Sequence, residues 1–447
     1  MNLKPVFQAF GNSGIIKIIR INTSFEFGAI MDTCALEEER NVFVEKQAFL
    51  DNFVMPDYNR FNVKNIKSLV GKIYGISGLG SSLSEDSMDD FYGITKVFLV
   101  VIDGFGYNRF LTHVRQHDGV FSELITKGVL RPLTSPFPAT TSTSLTSIFT
   151  GLTPSEHGVI GYHMFSREYG CGFNTLDMKP VYGYSSEVEI ARDLSRRIKP
   201  WIPKLQTNGI KTFVATKSSI IGSGLSRVIH ADQDVIPYTL ESEMLIKCRR
   251  LLEQLGPVFL ILYYSGIDTL EHKYGPYSEE VISEIQSFEF LLKSFFHKLS
   301  DKTKRETIIM LTSDHGVCET HRTFYLKDHG EVASRLQLPP VGDSRCGFLF
   351  AKKGQNKKIK SAFEDRIDGF RLIESKDLIE SGAFGRNVNS MSFQHTVGDF
   401  AALSKGPNAL SYPYFEDDRN REQHGGHGGM TTEEVLVPLL STRLSKI

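Results

Sequence analysis

The chain has 447 residues, enough to bury a large core and to divide into two or three domains. Hydrophobic residues make up 40% and charged residues 23%, the balance of a globular fold rather than a disordered or fibrous one. With a formal net charge of −1 there is no global field to draw in nucleic acid or an anionic membrane, so no stable partner of either kind is expected.

Residues Met1 to Ile15 show no basic start followed by an apolar h-region, so no secretory leader is expected. No apolar run reaches the length of a membrane span. Cys34, Cys171, Cys248, Cys318 and Cys346 are odd in number and never spaced as CxxC. That argues against a disulfide framework or a cysteine zinc site, and for reduced thiols in a cytoplasmic protein. Up to residue 95 there are short apolar stretches (Ile15 to Ile21, Phe43 to Phe53) and then a Gly/Ser/Asp-rich seam from Gly75 to Asp90, with no motif that assigns a role.

From residue 96 the pattern changes. Val97 to Ile102 is a continuous apolar run that stops at Asp103-Gly104, the mark of a strand buried on both faces. Val258 to Tyr264 stops in the same way before Asp268, and Thr307 to Leu311 stops before Asp314-His315-Gly316. Between the last two, Val281, Ile285, Phe288, Leu292, Phe295 and Leu299 recur at spacings of four and three, one apolar helical stripe. Strands alternating with helices predict an α/β fold with a doubly wound, mainly parallel sheet flanked by helices. Ligands of such sheets sit at the carboxyl ends of the strands, where the three acidic endings would gather.

Beyond Glu319 the texture is that of a small α+β unit. Arg345 to Ala351 and Phe370 to Ser375 read as strands, Lys357 to Ile367 and Lys376 to Ser381 as helices. The polar stretch Glu416 to Gln423 leads to a glycine-rich loop and a last strand, Glu434 to Leu440. The chain therefore divides into an N-terminal region (1–95), a first core segment (96–319), a small α+β lid (320–414) and a closing core segment (415–447).

Histidines accompany the acids. Asp268 and His272 are spaced i, i+4, one face of a helical turn. Asp314 and His315 adjoin at a strand end, and His427 stands in the loop His424-Gly-Gly-His427-Gly-Gly. Carboxylate and neutral imidazole together suit zinc, or manganese where oxygen ligands dominate. The segment Thr140 to Gly151 is hydroxyl-rich, then apolar, then closed by glycine, which reads as a helix with a capped N-terminus. Such an N-terminus seats phosphate, and a hydroxyl there that touches a metal becomes a nucleophile; equally, Thr140 or Thr141 can serve only as the cap.

The stretch from Asp103 to His427 resembles the alkaline phosphatase superfamily, in particular its type I phosphodiesterase/nucleotide pyrophosphatase branch. The order of Ile102-Asp103-Gly104, Thr141 ten residues before Gly151, Asp268-x-x-x-His272, Asp314-His315-Gly316 and His427-Gly428-Gly429 carries the resemblance, together with Gly151 to Gly158. It implies an alkaline-phosphatase-like fold and two divalent metal ions, most simply Zn2+ with Mn2+ as the alternative. One ion would be held by Asp268, His272 and His427. The other would be held by Asp103, Asp314 and His315 with the Thr141 oxygen. Two ions about 4 Å apart can clamp the attacking and leaving oxygens of an in-line displacement. The implied reaction is hydrolysis of a phosphodiester or nucleotide pyrophosphate through a phospho-threonine at Thr141, with a small-molecule phosphate ester or nucleotide as substrate. A phosphomonoesterase or a phosphonate-bond hydrolase would share the site, and an inactive metal-stabilised binding module is the alternative from another class. No C/S-x-P-x-R segment is present for a sulfatase, and a Ser nucleophile with a large insert, as in the phosphomutases, is not evident. The family pattern continues after His427 rather than His424, which leaves His424 facing substrate or solvent.

Overall fold

The computed structural model describes residues 33–50, 53–80, 83, 91–254, 256–386, 390–415, 418–419 and 423–447. The first 32 residues, most of the seam before Asp90 and part of the 416–423 stretch lie outside the described residues.

The three apolar runs form the centre of a seven-stranded sheet. In order across it lie Val129–Thr134, Leu436–Arg443, Thr307–Thr312, Lys96–Ile102, Val258–Tyr264, Lys211–Lys217 and Asp234–Tyr238. Six strands point one way and Leu436–Arg443 alone is reversed. Every residue of the Lys96–Ile102, Val258–Tyr264 and Thr307–Thr312 strands is buried, as a sheet covered by helices on both faces requires. Registers pair Tyr264 with Ile102 and Thr312 with Val101, so these three strands end level with one another. The amphipathic helix Glu279–His297 turns Val281, Ile285, Phe288, Leu292 and Phe295 onto this core, and Leu299 is buried just past its end.

The closing strand begins later than the sequence suggested. Thr431 and Glu434 form a capping box that folds Thr432–Val435 into a helical turn, and the strand starts only at Leu436. The region 320–414 does not make its sheet alone. An antiparallel seven-stranded sheet runs Phe370–Glu374, Phe400–Ser404, Cys346–Leu349, Val341–Asp343, His163–Ser166, Cys171–Asn174 and Pro180–Tyr182. Three of its strands thus come from the first core segment, joined where Gly342 pairs with His163. A second apolar cluster, including Phe324, Ile359, Phe363, Phe370 and Leu410, packs against this sheet.

The described part of the N-terminal region is a buttress. Val54 N donates to Met430 O at 2.8 Å and Thr134 N to Phe61 O at 2.7 Å, while Lys67 Nζ reaches Gly151 O at 3.0 Å. Phe43, Phe53, Ile66 and Val70 join the main core. All five cysteines are free, and no helix among the described residues is long and apolar enough to cross a membrane.

Candidate active site

The level strand ends bring all seven sequence-derived residues to one edge of the parallel sheet. Asp103 follows its strand through Gly104, whose φ of +79° turns the chain sharply. A Cβ there would meet Glu271 Oε2 at 2.6 Å and Asp268 Cβ at 3.0 Å, so only glycine lets the two acidic segments close. Asp268 and His272 lie on the helix Gly266–Tyr274, with His272 Nε2 3.4 Å from Asp268 Oδ1. His427 Nε2 stands 4.0 Å from the same oxygen, and this trio forms one compact donor group. In a second group His315 Nε2 lies 3.3 Å from Asp103 Oδ1, with Asp268 in reach and Asp314 Oδ2 at 3.8 Å from the imidazole. The His315 and His427 rings are 4.0 Å apart, so the two groups share a wall.

The surrounding hydrogen bonds aim these donors. His272 Nδ1 faces Gly425 O at 2.8 Å and His315 Nδ1 faces Gly316 O at 3.2 Å, so each Nδ1–H donates to a carbonyl and leaves Nε2 unprotonated toward the centre. Gly104 N and His315 N both donate to Asp314 Oδ1, at 3.3 and 3.0 Å. Buried Asp103 Oδ1, Asp268 Oδ1 and Asp314 Oδ2 receive no hydrogen bond. Burial, and then Asp314 and Asp268, push the Asp103 carboxyl well above its usual range; burial also raises Asp314. Burial together with the neighbouring His315 and His272 holds His427 well below the usual histidine value, hence neutral. Unpartnered carboxylate oxygens beside imidazole nitrogens fit a divalent cation site, since positive charge would relieve the crowding.

Thr141 opens the helix Thr141–Thr150, and its Oγ1 lies 3.0 Å from His315 Nε2. Thr140 occupies the N-cap position with extended backbone but makes no side-chain cap; its hydroxyl donates to Asp343 Oδ1 at 3.0 Å. The first-turn N–H groups are therefore not capped by Thr140 and are available to an anion. A helix with so many hydroxyls can be buried because Thr146 and Thr150 bond back to the carbonyls of Ser142 and Thr146, each at 2.6 Å. His157 anchors the same helix, with Nε2 3.0 Å from Ser147 Oγ, and burial brings its pKa down to about 3.

Thr141, Asp268, His272 and His427 open onto a cavity of about 700 Å³ between the two sheets, whose far walls include Tyr162 and Tyr412. His163 lines it too. His424 is exposed to solvent and uses only its backbone here, donating to His272 O at 2.9 Å. Arg345 is fully buried against Glu434.

Sequence reasoning missed three participants. Tyr263 donates its phenol to Asp103 Oδ2, and Asp343 joins the cavity wall beside Thr140. Glu271 is buried next to His272 with its carboxyl pushed well up by burial and Asp268, Arg109 opposing. Tyr263 is the only one with a signal in the sequence, since a tyrosine inside a run of aliphatic core residues needs a polar partner.

A mainly parallel sheet with acidic and histidine donors gathered at its carboxyl edge has the layout expected of the alkaline phosphatase superfamily. The chain belongs to the type I phosphodiesterase / nucleotide pyrophosphatase family, a family of phosphoric ester hydrolases, whose model matches residues 97–428. It is similar to human ectonucleotide pyrophosphatase/phosphodiesterase family member 1, 24% identical over 245 residues, which cover 51% of this chain and 25% of that protein. A 91-residue segment is 31% identical to GPI ethanolamine phosphate transferase 2 of Saccharomyces cerevisiae, covering 20% of this chain and 9% of that one. The chain thus spans a quarter or less of the curated relatives it matches. Among solved structures, murine ectonucleotide pyrophosphatase/phosphodiesterase 5, as an inactive threonine-to-alanine variant with AMP, has a TM-score of 0.58 at 18% identity, covering 78% of this chain and 88% of that one. Phosphonoacetate hydrolase from Sinorhizobium meliloti has a TM-score of 0.57 at 15% identity, covering 77% and 89%. At these identities the likeness concerns the fold.

Proposed function

We propose that the chain hydrolyses phosphodiester or nucleotide pyrophosphate bonds through a phospho-threonine at Thr141. The observation that carries the reading is Thr141 itself, half-buried at an uncapped helix N-terminus, its oxygen 3.0 Å from His315 Nε2 and its side of the cavity shared with Asp268, His272 and His427. Asp268, His272 and His427 would hold one divalent ion; Asp103, Asp314 and His315 would hold the other beside Thr141. The mixed imidazole and carboxylate set fits zinc best, manganese next. When bound, such ions neutralise phosphoryl oxygens and ease loss of the Thr141 proton.

The residues supply the rest. Helix N–H groups of the first turn orient the phosphoryl oxygens, and the cavity walls hold the organic part. The Thr141 oxygen bonds to phosphorus as the leaving group departs with its own oxygen, and water then cleaves the phospho-threonine, restoring the hydroxyl. The inactivity of the murine neighbour lacking one threonine supports a threonine nucleophile. The test pairs Thr141→Ala with Thr140→Ala on an aryl phosphodiester, with mass spectrometry of a quenched reaction. Loss of about three or more orders of magnitude is expected for Thr141→Ala alone. Near-normal turnover in that variant, or a phosphoryl group mapped to Thr140, would overturn the reading. Dinucleotide, monoester and phosphonate substrates in the same assay separate the related activities.

A further inference from the structure

We infer that Asp343 is a specificity-determining residue whose carboxylate favours singly charged phosphodiesters over doubly charged phosphomonoesters. The inference rests on Thr141 being the nucleophile. Asp343 ends the strand Val341–Asp343 of the second sheet and lines the same cavity as Thr141 and His427. Three segments that build this end of the cavity close on it. Its Oδ1 accepts from Thr140 Oγ1 at 3.0 Å, and its Oδ2 accepts from Tyr162 N at 3.2 Å. A Cβ on Gly428, next to His427, would come within 2.4 Å of the Asp343 Cβ. The carboxylate is thus held by the residue next to Thr141, on the wall of the cavity onto which Thr141 opens.

Two further facts make its charge count. Burial pushes the Asp343 carboxyl up to about 7 against its two donors, which favour the ionised form, so its charge is complete only above neutral pH. Among the described residues Asp343 forms no ion pair, and Arg345, two residues along, spends its guanidinium on Glu434. The charge is therefore compensated only by what the site itself holds. Two divalent ions facing Asp103, Asp268 and Asp314 would leave one net positive charge, which the Thr141 oxygen takes up on losing its proton, so Asp343 adds a negative charge that the ligand set does not offset. A phosphodiester brings one negative charge, whereas a monoester brings two at neutral to alkaline pH. A fixed negative charge opposes the second twice as strongly as the first. Hydrogen bonding alone offers another role, as a stitch between Thr140, Tyr162 and the second sheet, and the experiment must separate the two.

The metal-loaded full chain and its Asp343→Asn and Thr140→Val variants would be compared on bis(4-nitrophenyl) phosphate and 4-nitrophenyl phosphate, well above the pH at which Asp343 ionises. Inorganic phosphate binding would be measured by calorimetry in a Thr141→Ala background. Asp343→Asn should raise the monoester-to-diester ratio of kcat/KM, and tighten phosphate, by about tenfold or more. Thr140→Val removes the hydrogen bond and keeps the charge, so it should leave the ratio within about threefold. Should the asparagine variant not fold, Asp343→Ser keeps an oxygen for the Tyr162 N–H and makes the same test. Equal losses on both esters with unchanged phosphate binding would reduce Asp343 to a stitch and overturn the inference, as would a wild type that prefers the monoester. A wild type hydrolysing neither ester would remove the reading of Thr141, and this inference with it.

Discussion

Replacing Arg345 by methionine tests how the second sheet holds the metal-side loop. Arg345 is fully buried, with Nε 2.7 Å from Glu434 Oε1 and Nη2 3.2 Å from Oε2, while Nη1 donates to Gly406 O at 2.6 Å and Asn408 O at 3.1 Å. Glu434 in turn accepts from Gly429 N at 2.8 Å and from Thr431 Oγ1 at 2.6 Å, fixing the loop that carries His427. Methionine fills much of the volume but leaves a buried carboxylate without its cation. Breaking a buried pair on one side costs about 3–5 kcal/mol. Because Glu434 keeps its capping donors, the low end, about 3 kcal/mol, is expected. Urea unfolding followed through Trp201, the single tryptophan and a buried one, reads this directly. The variant should also retain metal less well on dialysis, since the His427 loop loses its anchor. A loss below about 1 kcal/mol would refute the argument that this pair ties the two sheets together.

Other outcomes follow from the same geometry. His427→Ala, Asp103→Asn and Asp314→Asn should each lower metal stoichiometry after dialysis, whereas His424→Ala should keep both ions; full occupancy in all three would sink the ligand assignment. Tyr263→Phe removes the phenol that donates to Asp103 and should weaken metal affinity about 10- to 100-fold in a competition titration with a chelator. Buried His157 stays neutral down to about pH 3, while in the unfolded chain it takes up a proton near pH 6.5. The unfolded state thus binds more protons in between, and stability should fall as pH drops through that window. Urea midpoints from pH 7 to pH 4 should show a shallower decline for His157→Asn than for wild type.

The central strands, and the gathering of the strand-end acids at one edge of the sheet, were legible because each signal is local. An apolar run ending in Asp-Gly or Asp-His-Gly carries both the strand and its functional end, and the parallel register then brings those ends level without further information. The second sheet was half legible. Arg345 to Ala351 and Phe370 to Ser375 were read as strands of a separate unit, but Val341–Asp343 and Phe400–Ser404 were not, and the continuation through His163 depends on a pairing with Gly342 that no local pattern announces. The late start of the last strand was available in principle, since Thr431-Thr-Glu-Glu434 spells a capping box, yet the apolar run beginning at Val435 outweighed it. Arg345 shows the physical limit most clearly. Its partner lies 89 residues away, so the sequence offered only a cation of unknown address. Burial settles the matter, because a guanidinium at that depth must be paired, and Glu434 is the acid whose remaining bonds already hold the His427 loop. Asp343 is the converse case. An acid in a short strand looks unremarkable until the fold sets it against Thr140, on the wall of the cavity onto which Thr141 opens. The division follows from range: residues whose role is fixed by their own strand or helix can be read from sequence, and residues whose role is fixed by what packs opposite them cannot.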